Sequence, residues 1–324
     1  MNKKILIGIA LIGLFLIPLS SQLVIGANEK IGVSESNGAI TLVTDEITVK
    51  ITPEQANIFW WYGNKSNTNE MYKLQLTAIQ EFTGDDDVLD SRTELYGIKY
   101  NLIRPDWDYD IVEGETEVTI TLSLLGLANG ANIYLIMHIY NADTEIAGTD
   151  EVVDGLSELK FDIIVEDWTF GPLAKGYAIQ TYLTEVQHRH RVEVRNGTAL
   201  ENGTLTRTMQ FDSEEYTGPV AYYEWTTFAN IYNSTEDLVD TIDVGTAYFD
   251  DLAAAPTEAP GFAEGLAHLW LTYPEYLDDH KMVHDPIIGV NEVETVGFSL
   301  YLLPIFGGLA VITAVMVVAR KRKN

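Results

Sequence analysis

The sequence predicts an all-β protein: an antiparallel β-sandwich, either one large or two tandem, flanked by a hydrophobic segment at each terminus. Apolar and polar residues alternate along many short runs, the period that places successive side chains on opposite faces of a strand. Long runs with the period of a helix are missing from the same region. Asn-Gly or Asp-Gly pairs at 129–130, 154–155, 196–197 and 202–203 separate these runs and favour tight turns between antiparallel strands.

The clearest alternation of apolar and polar residues covers residues 117–124, and the other runs show the same alternation less regularly. The predicted strands span residues 41–43, 47–51, 58–62, 72–79, 97–102, 117–124, 132–140, 159–165, 177–183, 190–194, 204–211, 220–228 and 267–272. The pattern weakens near residues 145–155, where two tandem sandwiches would divide, but one large sandwich is favoured. Residues 250–265, rich in Ala, Pro and acidic residues, predict an exposed loop.

The two hydrophobic segments predict a type I single-pass membrane protein. Residues 1–27 have two lysines at positions 3 and 4, continue as an apolar run and end in small residues, which is typical of a signal peptide. Residues 298–319 are long enough to span a bilayer, and the basic tail 320–324 favours a cytoplasmic end. An acidic ectodomain (28–288) and a polar stem (289–297) would then lie outside the cell. Cleavage after residue 27 stays open, since an uncleaved segment would give a second membrane helix.

Charge excludes one large class of partners. The chain has 48 acidic and 20 basic residues, and all the acidic residues but only 14 of the basic ones lie in residues 28–296, which therefore carry −34 formal charges. Such a surface repels DNA and RNA. A solvated acidic surface and cation binding by clustered carboxylates are both compatible with this charge. The chain has no cysteine, so thiol catalysis and cysteine-ligated metals are excluded.

A short acidic turn is the best cation candidate. Asp85, Asp86 and Asp87 are adjacent, and Asp90 follows three residues later. Calcium binds six to eight oxygens, several of which one acidic turn can supply, and we expect weak binding of the kind found in extracellular modules. The alternative is a solvated hairpin tip, because the run lacks the alternate spacing of an EF-hand. Calcium is the one cofactor that the sequence suggests.

Two histidine pairs are weaker metal candidates. His188 and His190 share one face of a predicted strand, and His280 and His284 are four residues apart beside several aspartates. Imidazole is a common ligand of divalent metals. A structural or surface role for each pair is the alternative.

Four sequons predict N-glycosylation of an outer surface. The acceptor asparagines are Asn64, Asn196, Asn202 and Asn233, and each lies in a predicted loop or turn.

Clustered aromatic residues are candidates for a ligand-stacking surface. Planar rings offer an apolar face to the C–H face of a sugar. The candidate rings are Trp60, Trp61, Trp107, Tyr109 and Trp225. Core packing is the alternative, although the adjacent Trp60 and Trp61 must point to opposite faces of one strand.

Several segments resemble a group of archaeal cell-surface proteins best known from Asgard-type archaea. The segments that carry the resemblance are 59–64, 72–87, 159–168 and 284–290, and together they span most of the ectodomain. The resemblance implies a signal peptide, a β-rich ectodomain and a C-terminal transmembrane anchor. It implies no activity and no catalytic residues, and the acidic turn of this group is more like an EF-hand than Asp85–Asp87.

Binding or adhesion is the favoured function, with a surface glycan or another envelope component as the partner. The chain has no Gly-x-Ser-x-Gly, His-Glu-x-x-His, P-loop or Gly-x-Gly-x-x-Gly motif. The alternatives are a glycan-acting or metal-dependent surface hydrolase and a structural component of the envelope. A cleft with convergent carboxylates and rings would favour the hydrolase.

Overall fold

Antiparallel sheets account for nearly all the regular structure of the described residues in the computed structural model. The structure describes residues 30–63, 71–84, 89–90, 93–146, 152–185, 191–199, 205–212, 219–248 and 266–291. These residues are all-β apart from one 3-10 turn, Pro53–Gln55, which confirms the predicted class. The predicted signal peptide (1–27), the predicted transmembrane segment (298–319) and the predicted cytoplasmic tail (320–324) lie outside the described residues. Within those residues, no helix has the length and apolarity that crossing a membrane requires.

The first large sheet has nine strands. They are β1 (Gly32–Ser36), β2 (Ala39–Val43), β3 (Ile47–Thr52), β4 (Asn57–Tyr62), β5 (Tyr72–Phe82), β6 (Leu95–Asn101), β13 (Gly176–Glu185), β19 (Gly245–Tyr248) and β20 (Leu266–Pro274). Their order is β1-β2-β3-β4-β5-β13-β20-β19, with β6 also paired to β5. The first half of β5 pairs with β4 and its second half with β6. The long strand β5 therefore links the N-terminal meander to the rest of the sheet.

The second large sheet has eleven strands, and a separate two-stranded ladder joins β10 (Thr144–Glu145) to β11 (Val152–Val153). The eleven are β7 (Asp108–Glu113), β8 (Glu117–Leu124), β9 (Asn132–Tyr140), β12 (Glu158–Glu166), β14 (Arg191–Ala199), β15 (Leu205–Asp212), β16 (Pro219–Thr226), β17 (Phe228–Tyr232), β18 (Leu238–Asp243), β21 (Lys281–His284) and β22 (Ile287–Val290). The main path is β14-β15-β16-β22-β12-β21-β17-β18, and β12 also pairs with β9, which continues to β8 and β7.

The two sheets share one hydrophobic core. Trp60 on β4 donates its indole N–H to the carbonyl of Gly289 on β22 at 3.1 Å. The rings of Tyr72 on β5 and Phe211 on β15 lie 4.6 Å apart between centroids. These contacts join residues of different sheets, so the sheets face each other, as a sandwich requires.

An interrupted strand next to β12 organises the middle of the eleven-stranded sheet. The strands β21 and β22 pair with the same edge of β12 in one continuous register, from His284 opposite Ile163 to Ile287 opposite Lys160. Pro286 lies between them, and because proline has no N–H it cannot donate to a ladder. Its carbonyl still accepts the N–H of Phe161 at 2.9 Å. The strand β22 ends at Val290, so Gly289 and Val290 lie within the sheet although the sequence assigns them to the stem.

Local differences from the predicted strands have identifiable causes. The predicted turn at Asn196-Gly197 is wrong, because both residues lie inside β14, whose pairing with β15 becomes irregular there. The predicted strand 220–228 is broken at Thr227, whose N–H bonds to the carbonyl of Leu205 at 2.9 Å. Sequence patterning also missed a hairpin turn at Asn37-Gly38, where both residues have positive φ, 52° and 72°.

Candidate functional site

The four tryptophans proposed for ligand stacking are all buried. Trp60 and Trp225 are 0% and 1% exposed, and Trp107 is 5% exposed with its indole N–H bonded to the carbonyl of Leu102. Trp61 lies on the other face of β4, but it too is only 9% exposed. A covered ring has no face to offer a ligand, so the stacking prediction is wrong for these four residues. They contribute to the packing of the fold instead.

Tyr109 is the one proposed ring that is exposed. It lies on β7, is 45% exposed, and donates its hydroxyl hydrogen to Glu35 on β1 at 3.0 Å. The hydrogen bond and the charge of Glu35 raise the pKa of Tyr109. Its ring remains available as a contact, but it lines neither of the two cavities described below.

The proposed calcium turn lies mostly outside the described residues. Asp85, Asp86 and Asp87 are not described, whereas Asp90 is exposed and organises the turn that follows it. Its carboxylate accepts the Thr93 hydroxyl at 2.8 Å, and its N–H donates to Glu94 at 2.7 Å. Among the described residues, no three acidic or histidine side chains are grouped as a metal site would require. Calcium binding at this turn stays a prediction.

The sequons have different settings. Asn64 and Asn202 lie outside the described residues, and Asn196 lies in the edge strand β14 rather than in a loop. Asn233 lies in the turn between β17 and β18, where its side-chain oxygen accepts the N–H groups of Thr235 and Asp237, both at 2.9 Å. Glycosylation stays a prediction at all four asparagines.

The second histidine pair is divided between two environments, and the first, His188 and His190, lies outside the described residues. His280 lies in a turn, 2.7 Å from the carboxylate of Asp279. His284 faces the core, with Nδ1 2.9 Å from the hydroxyl of Tyr273 and Nε2 3.0 Å from the carbonyl of Thr226. Burial lowers the pKa of His284 to about 4, so the ring is neutral at pH 7. Both of its nitrogens have partners, which leaves it a structural role.

A groove of about 700 Å³ opens at one end of the two sheets. We call it the Tyr96 groove, and its lining includes Thr83, Thr93, Tyr96, Phe170, Gly171, Pro172, Leu173, Ala174, Lys175, Glu275 and Asp278. Tyr96 and Leu173 are 58% and 62% exposed. The backbone of Lys175 is held by hydrogen bonds to Phe82 and Glu275, at 2.8 and 2.9 Å. The groove thus combines an exposed ring, apolar surface and charged groups on a fixed frame.

A buried carboxylate joins the two walls of this groove. Glu81 on β5 is 1% exposed. One oxygen accepts the N–H of Ile98 at 2.9 Å, and the other accepts the N–H of Gly171 at 2.9 Å and the indole N–H of Trp168 at 3.3 Å. Gly97, with φ +74°, leaves the space that Glu81 fills, because a Cβ there would lie 2.2 Å from its oxygen. Glu81 therefore fixes the position of the Tyr96 wall relative to the Phe170 wall.

A second cavity, of about 670 Å³, is lined by residues of both large sheets. We call it the Arg207 cleft. It is lined by Phe82, Gly84, Leu89, Lys175, Leu205, Arg207, Thr227, Asp243, Val244, Gly245, Thr246, Thr272 and Pro274. Its wall is fixed by the Thr227 bond to Leu205 and by the Val244 N–H bond to Thr227 at 2.8 Å. Lys175 lines both cavities, so the groove and the cleft are neighbours.

A network of ionisable groups occupies the outer face of the eleven-stranded sheet. Lys160, whose side chain is 5% exposed, bonds to Asp162 and lies 3.5 Å from Asp285. His138 lies between Asp162 and Glu117, at 3.6 and 3.4 Å. Burial, strengthened by Asp162, raises the pKa of Asp285 to about 6 although Lys160 opposes the shift. For Lys160, burial is outweighed by Asp285 and Asp162, which raise the pKa of its amine.

Glu158 forms a neighbouring network on the same face. Its carboxylate accepts the hydroxyl of Tyr222 and the N–H of Asp154 at 2.6 Å. Gly289 lies beneath the Tyr222 ring, and a Cβ there would lie 2.4 Å from it. Burial raises the pKa of Glu158 to about 7 despite these two hydrogen bonds. None of the residues in either network lines the groove or the cleft.

Sequence patterning missed the residues that matter most in these sites. Lys160 and Asp162 interrupt an apolar run two residues apart, and this spacing on a strand could have predicted a pair on one face. Tyr96, Glu81 and Arg207 carry no comparable signal, because their partners are distant in the sequence. Comparison with protein-family models and with curated proteins finds no match to this chain.

Proposed function

We propose that this chain is a membrane-anchored binding or adhesion protein whose extracellular domain holds a glycan of the cell envelope in the Tyr96 groove. The observation that carries the proposal is the exposed Tyr96 ring inside a groove that also contains Lys175, Glu275 and Asp278. A sugar presents apolar C–H faces that stack on a ring and hydroxyl groups that bond to carboxylates and amines.

The position of the groove supports a role in contact with other surfaces. The last described residue, Asn291, follows β22 and bonds to Val220, near the end of β12 where Glu158 is opposite Gly289. The groove lies near the other end of β12, where Tyr276 bonds to Val165 and packs edge-on against Phe170. Eight residue steps of about 3.3 Å separate these ends of β12 by about 26 Å. The last described residue therefore lies at the end of the sheet away from the groove, which supports a groove directed away from the proposed anchor.

Replacement of the groove tyrosine tests the proposal. The full-length protein, purified in detergent, would be titrated with fluorescently labelled glycans released from the envelope of the producing cells. We expect Tyr96→Ala to weaken binding about tenfold, because it removes the central ring of the contact. Tyr109→Ala is the matched control, since Tyr109 is similarly exposed but lies outside both cavities.

Equal binding by Tyr96→Ala and the unaltered protein would exclude the groove as the glycan site. Absence of binding by the unaltered protein would exclude glycan recognition of this kind and favour a structural role in the envelope.

A further inference from the structure

We infer that the Arg207 cleft binds the carboxylate of an acidic sugar, a uronate unit of the glycan held in the neighbouring groove. The inference rests on the proposed glycan binding and names the class of sugar that the protein selects. The residues that carry it are Arg207, Lys175 and Asp243, which line one cavity together with threonine hydroxyls and an apolar wall.

Arg207 is directed towards the space between the sheets. It lies on β15 with Met209 and Phe211, and residues two apart on a strand share a face. Met209 and Phe211 are both fully buried between the sheets, so the same face carries Arg207 to the open end of the core. The residue opposite Arg207 on β16 is the buried Trp225. The guanidinium is therefore placed beside the core, in the cleft, rather than on the outer surface.

The guanidinium lacks a partner within the part of the chain that the structure describes. Neither a hydrogen bond nor an ion pair to its side chain is formed by the described residues, including Asp243, which lines the same cleft. A half-buried guanidinium has lost part of its hydration, and an anion in the cleft would replace it. The unpartnered guanidinium, which lines the cleft, thus points to a ligand with acceptor oxygens.

A carboxylate on a sugar ring fits the rest of the lining. Arginine presents two parallel N–H groups that match the two oxygens of a carboxylate. Thr246 and Thr272 can bond to ring hydroxyls, and Asp243 can accept hydrogen bonds from them. Phe82 supplies apolar surface on the sheet opposite Arg207. A cavity of about 670 Å³ is large enough for a sugar unit.

The overall charge of the protein makes this arrangement selective. The segment 28–296 carries −34 formal charges, which repel anions in general. Two of its 14 basic residues nevertheless line one cleft. An acidic sugar would therefore bind at this position and be repelled by most of the remaining surface.

A matched pair of probes tests the inference in the full-length protein purified in detergent. One probe is trigalacturonate and the other is its fully methylated ester, which keeps the same three sugar rings but carries a methyl group in place of each negative charge. We expect the acid to bind at least about tenfold more tightly than the ester, since a charge-assisted bidentate contact is worth that much. Arg207→Gln should reduce the affinity for the acid to that for the ester. Arg207→Lys should bind the acid with an intermediate affinity, because lysine keeps the positive charge but lacks the two parallel N–H groups of arginine.

Two further variants locate the effect in the cleft. Arg104→Gln removes the same charge from an exposed loop and should leave both affinities unchanged. Asp243→Asn removes a negative charge from the cleft and should strengthen binding of the acid alone. A thermal melt of each variant shows that the fold is intact, and Asp243→Asn still tests the site if Arg207→Gln does not fold.

The outcomes separate the two proposals. Equal binding of the acid and the ester overturns the uronate site but leaves the proposed glycan function intact. A preference for the acid that persists in Arg207→Gln has the same two consequences. If neither probe and no envelope glycan binds, the proposed function fails and the inference fails with it.

Discussion

The two faces of the eleven-stranded sheet carry side chains from the same strands but place them in different environments. On the inner face, Tyr223 and Trp225 are 0% and 1% exposed and pack as stacked rings 5.0 Å apart. On the outer face, their neighbour Tyr222 bonds to the carboxylate of Glu158. The inner face is stabilised by the burial of apolar surface, whereas the outer face carries largely buried ionisable groups that need one another as partners. Stability should therefore depend on volume at one face and on pH at the other.

The inner face should give the largest single effect. We expect Trp225→Ala to lower the free energy of unfolding by about 3–5 kcal/mol, because it removes a large buried ring and leaves a cavity. Tyr96→Ala removes an exposed ring and should change it by no more than about 0.5 kcal/mol. Chemical denaturation of the full-length protein measures both. Losses of similar size in the two variants would show that burial does not distinguish these rings.

Removal of the buried cation on the outer face should give the next largest effect. We expect Lys160→Met to lower the free energy of unfolding by about 3 kcal/mol at pH 7.5, since Asp285 would lose its cation and Asp162 would keep only His138. Lys281→Met is the matched control. Lys281 pairs with Glu236, whose side chain is 69% exposed, so its loss should cost less than about 1 kcal/mol. If Lys160→Met leaves the free energy of unfolding unchanged, the cost of desolvating these charges already cancels their attraction in the network.

Glu158 should make stability depend on pH. Its pKa in the folded protein is about 7, whereas in the unfolded chain it titrates near its ordinary value of 4.5. Between these values the folded state holds the proton more tightly, so raising the pH through this window destabilises the fold. As the pH rises from 5 to 8, the free energy of unfolding of Glu158→Gln should increase by about 2 kcal/mol relative to that of the unaltered protein.

The exposed Glu54 supplies the control for this pH effect. Glu54→Gln removes a carboxylate from the exposed surface and should change the free energy of unfolding by no more than about 0.5 kcal/mol at each pH. Denaturation curves at four or five pH values measure the difference. If the free energy of unfolding of Glu158→Gln differs from that of the unaltered protein by the same amount at every pH, the carboxylate of Glu158 is ionised without penalty. The outer face is then not the pH-sensitive one.

The sequence by itself determined the class of the fold and most of its strands. Alternation along 117–124 and 132–140 was sufficient to predict β8 and β9, because the two faces of a strand differ in their contact with water. The strand β22 escaped prediction because all four of its residues are buried, so its sequence does not alternate between apolar and polar residues. The charge at Lys160 within an apolar run was visible in the sequence, but its partner Asp285 was not.

Only the tertiary structure decided which residues are exposed and which of them meet. Alternation placed Trp60 and Trp61 on opposite faces of β4, yet both are covered, because exposure depends on what packs against each face. Trp60 bonds to Gly289, and Arg207 shares a cleft with Phe82 and Lys175, over distances in sequence that no local pattern encodes. Strand periodicity is a local property of the chain, whereas the choice of partner strands and the facing of the two sheets are set by the packing of the whole core.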